Sequence, residues 1–479
     1  MSASEWSIRM TGGRIGWYLE NVFMKSMLWL TTCALLLTFW NSGNAAQAKD
    51  FYIQSGDRVV FYGDSITEQR YYPVAVQTFI RTRFPSLHVR FVDSGVGGDR
   101  VTGGWAGRID LRLKRDVFPF KPNVVTIMLG MNDGSYQPFN KKIFAVYKNG
   151  YEHIIQSLQA HLPGVKIVVI APSPWDNYSQ RKGYPRNPHH LPGSYNDVLI
   201  RYSRFVKKLA MQDHLLFVNF NTPMVQVIKA AVKINPRLAT RIIPGQCHPS
   251  ATGQMVMAQT LLHAWGAPAT VAAVEINADD KAVVRATNTT VSNLTVTPKQ
   301  IAWTELDHSL PYPMMTLHNP WPQFPPMLLQ WAHPLPNMHA VNPLAAMVLK
   351  LVHAYKILDN EPLRVNGLAA GRYELQINHQ VVGTFSAGQL SRGINLARCD
   401  TPMMIQAYKV MQLVWQQTEY RFVAWRNYQL PLPRLGGPVI EKAGQKLVAA
   451  MYTHWRHMDA AQYAAAKPLP DDYSLTAVK

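Results

Sequence analysis

The chain has 479 residues, 47% hydrophobic and only 16% charged, with 48 Lys and Arg against 29 Asp and Glu for a formal net charge of +19. A chain of this length and composition buries a large core and divides into two or three domains. Three cysteines (Cys33, Cys247, Cys399) exclude a disulfide scaffold, and without an interior apolar run of about twenty residues an internal membrane span is excluded as well.

The first predicted element is an export signal. Met24-Lys25 forms a basic n-region, Met27 to Trp40 an apolar h-region, and Ala46-Gln47-Ala48 a small-x-small cleavage site. The competing reading is a retained signal anchor, which the shortness of the run disfavours. Cleavage leaves a strongly basic chain suited to acidic polymers or anionic surfaces. No nucleic-acid motif accompanies that charge, and an export signal argues against such a partner. Only Cys247 and Cys399 would remain, as one disulfide or as two free thiols.

Val59 to Thr67 is an apolar run that stops at Gly63-Asp64, so it reads as a buried strand delivering Ser65 at its C-terminal end. Pro73 starts a helix through Ile80. Val89 to Asp93 is a second strand, followed by Ser94-Gly95-Val96-Gly97-Gly98-Asp99, where glycines let backbone N–H groups approach a ligand. Val124 to Leu129 is a third, running into Gly130-Met131-Asn132-Asp133. Residues 141 to 161 form a helix with Ile143, Val146, Tyr147, Ile154, Ile155 and Leu158 as its stripe, and Lys166 to Ala171 is the fourth strand.

A long loop follows, with Pro172, Pro174, Trp175, Tyr178, Tyr184, Pro185, His189, His190 and Pro192, and reads as a substrate wall. His189-His190 lacks ligand-spaced partners, and there is no His-Glu-x-x-His or paired Cys-x-x-Cys, so neither metal nor another cofactor is expected. Asn196 to Ala210 is helical, Leu215 to Asn219 a strand, and Met224 to Val232 helical. His248 lies in Gln246-Cys247-His248-Pro249, on the loop before a helix begun by Pro249-Ser250. Alternating strands and helices imply one doubly wound sheet. A serine, a donor glycine, an amide and a histidine at the ends of its strands are the parts of an acyl-transfer site.

Gly63-Asp64-Ser65, Gly97-Gly98-Asp99, Gly130-Met131-Asn132-Asp133 and Cys247-His248-Pro249, in this order, resemble the signature of the SGNH (GDSL-like) hydrolase family over about residues 55 to 270. The resemblance implies a five-stranded parallel, flavodoxin-like sheet between helices. It also implies Ser65 as nucleophile, His248 as base and then acid, and an oxyanion hole from the N–H groups of Ser65 and Gly98 with the Asn132 amide. The family usually carries an Asp three residues before the His; here that position is Gly245. Either a backbone carbonyl or another carboxylate orients His248, Asp93, Asp99 and Asp133 lying on the same sheet edge, or the enzyme is slow or inactive. The absence of a Gly-x-Ser-x-Gly elbow argues against a lipase-type α/β-hydrolase.

Beyond Trp265 the texture changes. Residues 271 to 300 read as strands, and 303 to 336 are dense in proline and aromatics (Trp303, Tyr312, Trp321, Phe324, Trp331) in the manner of a linker or lid. Leu363 to Gly367 and Tyr373 to Ile377 alternate as half-buried strands with turns at Gly371 and Asn378-His379, and a helix covers Pro402 to Trp425. The expected divisions are an extension and signal over 1–48, a hydrolase domain over 49–270, a strand segment and linker or lid over 271–340, and an α+β, partly β-sandwich-like region over 341–479. The expected function is an exported serine esterase that deacetylates a carbohydrate or cell-envelope polymer. The alternatives are an O-acyltransferase acting on a sugar hydroxyl and a weak or inactive glycan-binding protein of the same fold.

Overall fold

The computed structural model describes residues 51–179, 195–314, 342–434 and 436–478. The expected export signal, the middle of the long loop with Tyr184, Pro185, His189, His190 and Pro192, and the stretch holding Trp321, Phe324 and Trp331 lie outside them.

Five strands form one parallel sheet: β1 (Arg58–Gly63), β2 (Arg90–Gly95), β3 (Val124–Met128), β4 (Lys166–Ala171) and β5 (Leu216–Asn219). Their order is β2-β1-β3-β4-β5. Helices cover both faces, so the strands read as continuous apolar runs; every residue of β3 is buried. Because the chain leaves β1 on one side for β2 and returns to the other for β3, a crevice opens at the C-terminal ends of β1 and β3. The loops carrying Ser65, Gly98 and Asn132 all leave the sheet at that end.

The short helix α1 (Ser65–Glu68) leads into α2 (Tyr71–Arg83), which is buried along its whole length. It begins two residues before the expected proline start. Its two inner arginines are paired rather than solvated. Arg83 bonds Asp359 at 3.2 Å and the carbonyls of Pro268, Thr270 and Leu358, while Arg81 bonds Asp459 and Gln462. A helix not expected from the sequence, α3 (Ile109–Asp116), follows β2. The helix α4 (Lys141–His161) matches its expected span, capped by Asn140, although Val146 of its stripe faces solvent. The sheet is completed by α5 (Tyr195–Gln212), α6 (Asn221–Ile234) and α7 (Ala251–Ala264).

After residue 270 two further sheets share one core. The strands β6 (Ala273–Asn277), β7 (Ala282–Thr287), β8 (Thr289–Val296), β9 (Gln300–Asp307), β10 (Pro362–Asn366), β11 (Arg372–Ile377), β12 (Gln380–Ser386), β13 (Ile394–Asn395) and β14 (Asp471–Val478) are arranged as β13-β10-β6-β7 and β8-β9-β14-β11-β12. Val274, Ile276, Leu363 and Val365 of the first pack with Ile301, Trp303, Leu375, Ile377, Tyr473 and Leu475 of the second. This is the expected sandwich-like arrangement. Asn378 and His379, with φ of 49° and 64°, make the two-residue turn between β11 and β12.

Trp303 and Tyr312 are buried in packed core rather than in a linker or lid. Two long helices cross this region, α8 (Pro402–Val423), continued by a π-helical turn over Ala424–Gln429, and α9 (Pro438–Ala466). Neither α9 nor β14 was expected. Cys247 and Cys399 are free thiols.

Candidate active site

Ser65 is the first residue of α1, and Asp64 before it caps the helix by accepting the Ile66 N–H at 3.0 Å. A serine at the start of a helix meets unpaired N–H groups and the positive end of the helix. His248 sits on the loop before α7, whose cap Ser250 accepts the Gly253 N–H. Although separated by 183 positions, Ser65 Oγ and His248 Nε2 lie 2.7 Å apart.

The glycine loop runs beside them. A β-carbon on Gly97 would stand 3.9 Å from Ser65 Cβ, whereas Gly98, at φ 76°, has open space on that side. Asn132 is fixed at both ends of its amide. Its Nδ2 donates to the Asp99 carbonyl at 3.0 Å, and its Oδ1 accepts the Tyr136 hydroxyl at 2.7 Å. Nδ2 is thereby held at the Gly98-Asp99 turn with a second N–H to spare. Tyr136, which no motif singles out, leans against Trp175 and Tyr195.

No described carboxylate is hydrogen-bonded to His248. Asp93 accepts the Gly95 N–H, Asp99 pairs with Arg112 at 2.7 Å, and Asp133 accepts the Val101 N–H. The internal segments 180–194 and 315–341 contain neither Asp nor Glu. At Gly245 the backbone is left-handed, φ 70°, as it is at Gln246. The loop is braced instead by its backbone: the Asp176 N–H donates to the Gln246 carbonyl, and Gln246 Nε2 to the Asp176 carbonyl, both at 2.9 Å.

Burial lowers the His248 pKa below its ordinary 6.5, which keeps the ring neutral and able to take a proton at neutral pH. Burial also pushes Asp64 up to about 8, with Asp133 and Asp99 adding to the rise, and Asp133 up to about 7. The Asp64 carboxyl next to Ser65 is thus held largely protonated at neutral pH. Burial raises the neighbouring Cys247 thiol to about 12, which removes it as a competing nucleophile.

A family model described as GDSL-like lipase/acylhydrolase matches residues 61–256. Those residues belong to that family. The acylhydrolase domain is 27% identical over 237 residues to an acetylxylan esterase of Geobacillus stearothermophilus, covering 45% of this chain and 96% of that protein. Beyond the domain, the structure of a gut microbial diltiazem-metabolizing enzyme is similar at 26% identity and a TM-score of 0.72, over 89% of this chain and 98% of that one. A likeness of that extent takes in the sheets after residue 270 as well as the acylhydrolase domain. The protein is an ester-hydrolysing enzyme.

Proposed function

We propose that this acylhydrolase is an exported serine esterase that removes acetyl groups from a carbohydrate or cell-envelope polymer, with Ser65 as nucleophile and His248 as its base. The observation that carries the reading is the 2.7 Å contact between Ser65 Oγ and His248 Nε2. Ser65 Oγ attacks the ester carbonyl carbon while its proton passes to His248 Nε2. The resulting oxyanion takes the N–H groups of Ser65 and Gly98 and the free N–H of Asn132 Nδ2. As the bond to the alcohol breaks, His248 returns the proton to the leaving oxygen. Water then repeats the sequence on the acyl-enzyme, His248 taking its proton, and releases the acid with Ser65 restored.

The acetylxylan esterase relative supports acetyl as the acyl group and an acetylated polysaccharide as the substrate. The net charge of +19 favours an acidic polymer. Among the described residues no helix is long and apolar enough to cross a membrane; export rests on residues 1–48, and N-terminal sequencing of the secreted protein checks cleavage after Ala48. Hydrolysis of p-nitrophenyl acetate, acetylated xylan and diltiazem by the wild type and Ser65→Ala tests the chemistry. The variant is expected to fold normally and lose activity on every ester cleaved. Turnover near that of the wild type would remove Ser65 as nucleophile.

A further inference from the structure

Gly97 and Gly98 supply a backbone donor from a stretch with no side chain of its own to hold it. The two are joined by one planar peptide, whose carbonyl belongs to Gly97 and whose N–H belongs to Gly98. Fixing that carbonyl therefore fixes the direction of the N–H. The exposed indole of Trp105 does so, its Nε1–H donating to the Gly97 oxygen at 2.7 Å. The Glu68 carboxylate also lies against Gly97, its Oε2 standing 2.8 Å from where a Gly97 β-carbon would be.

Both holders are gripped by one residue from far along the chain. The Arg426 guanidinium lies over the Trp105 ring, 4.2 Å from its centre, and its Nη1 reaches Glu68 Oε1 at 3.2 Å. Arg426 stands on the π-helical turn that continues α8, a distortion that alters the angular spacing of side chains and recurs at functional sites.

We infer that Trp105, Glu68 and Arg426 form a clamp that orients the Gly97–Gly98 peptide so that its N–H meets the developing oxyanion, making the C-terminal helices part of the catalytic apparatus. The inference rests on the Ser65 esterase reading. These are positioning residues: Trp105 and Glu68 lie against Gly97, Arg426 acts through those two, and the role requires none of them to touch the ester. A donor that is already aimed costs no reorganisation when charge develops, which is why its orientation bears on turnover more than on binding.

Trp105→Phe retains a ring beneath Arg426 and removes only the Nε1–H. On p-nitrophenyl acetate its kcat should fall about tenfold with KM changed less than about twofold. The inhibition constant of a trifluoromethyl ketone, whose hemiketal oxygen occupies the oxyanion position, should rise by a similar factor. Arg426→Gln, which releases both holders, should move kcat and the inhibition constant in the same directions. An unchanged kcat and inhibition constant in Trp105→Phe would overturn the clamp, and so would a change confined to KM, which would make Trp105 a substrate contact. If Ser65→Ala is inactive while Trp105→Phe behaves as wild type, the clamp alone is wrong. If Ser65→Ala remains active, the esterase reading beneath it has failed.

Discussion

Placing a carboxylate at Gly245 tests how His248 works without one. Among the described residues a side chain there meets no steric obstacle, none lying within 4 Å of an added β-carbon. The cost is conformational: φ is 70°, and an aspartate in the left-handed region loses about 1 kcal/mol. The gain is electrostatic. A carboxylate about 4 Å from the imidazolium is worth up to ~4 kcal/mol at an effective dielectric of about 20, and an acceptor for Nδ1–H also selects the productive tautomer. His248 now has its pKa lowered by burial, with no charge opposing the effect, so the acid limb of kcat/KM lies below pH 6.5. In Gly245→Asp that limb should move to higher pH by about 1–2 units, and kcat on its plateau should rise about tenfold or more. Turnover against pH for both forms is the assay. An unchanged acid limb with unchanged or lower turnover would mean that no acid is missing, and that a carbonyl or another dipole already fills that role.

Two further perturbations separate chemistry from scaffold. Asn132→Ala should lower kcat by about two to three decades with little change in KM, because its free N–H acts on the transition-state oxygen; a loss seen only in KM would rule that role out. Arg83→Met should cost about 3–5 kcal/mol by stranding Asp359 in the core. Burial already raises Asp359 to about 7. Without Arg83 its folded pKa stands further above its unfolded value, so the deficit should grow as pH rises. Urea denaturation at pH 5 and pH 8 measures both effects, and equal losses at the two would refute this assignment.

The parallel sheet was legible because helices cover both its faces and its strands stop at or within two residues of a glycine, proline or asparagine, so apolar runs and their stops mark them to within a residue or two. The Ser65 loop was legible for the same reason, and the His248 loop from the helix start at Pro249-Ser250. Gly245 was legible as a gap, but what surrounds it was not: Asp93, Asp99 and Asp133 each commit one oxygen to a backbone N–H or to Arg112, partners no local pattern announces, and keep the other buried with no hydrogen bond among the described residues. Trp105 and Arg426 are 321 positions apart and acquire meaning only when α8 lies against the glycine loop. Likewise β14 carries a readable alternation, with Tyr473 and Leu475 inward, but its neighbours β9 and β11 are remote in sequence.

That placement of β14 governs the order of assembly. Residues 471–478 are the middle strand of their sheet, paired on both sides, so β8-β9 and β11-β12 remain two separate hairpins until residues 471–478 have left the ribosome. The helices α8 and α9, which cover α2 and bring Arg426 to Trp105, precede that strand directly. A nascent chain can therefore close its parallel sheet early yet carry an unfinished flank until that strand emerges. Removing residues 471–478, or a tag that competes for their groove, should release unpaired edges on β9 and β11 and promote aggregation.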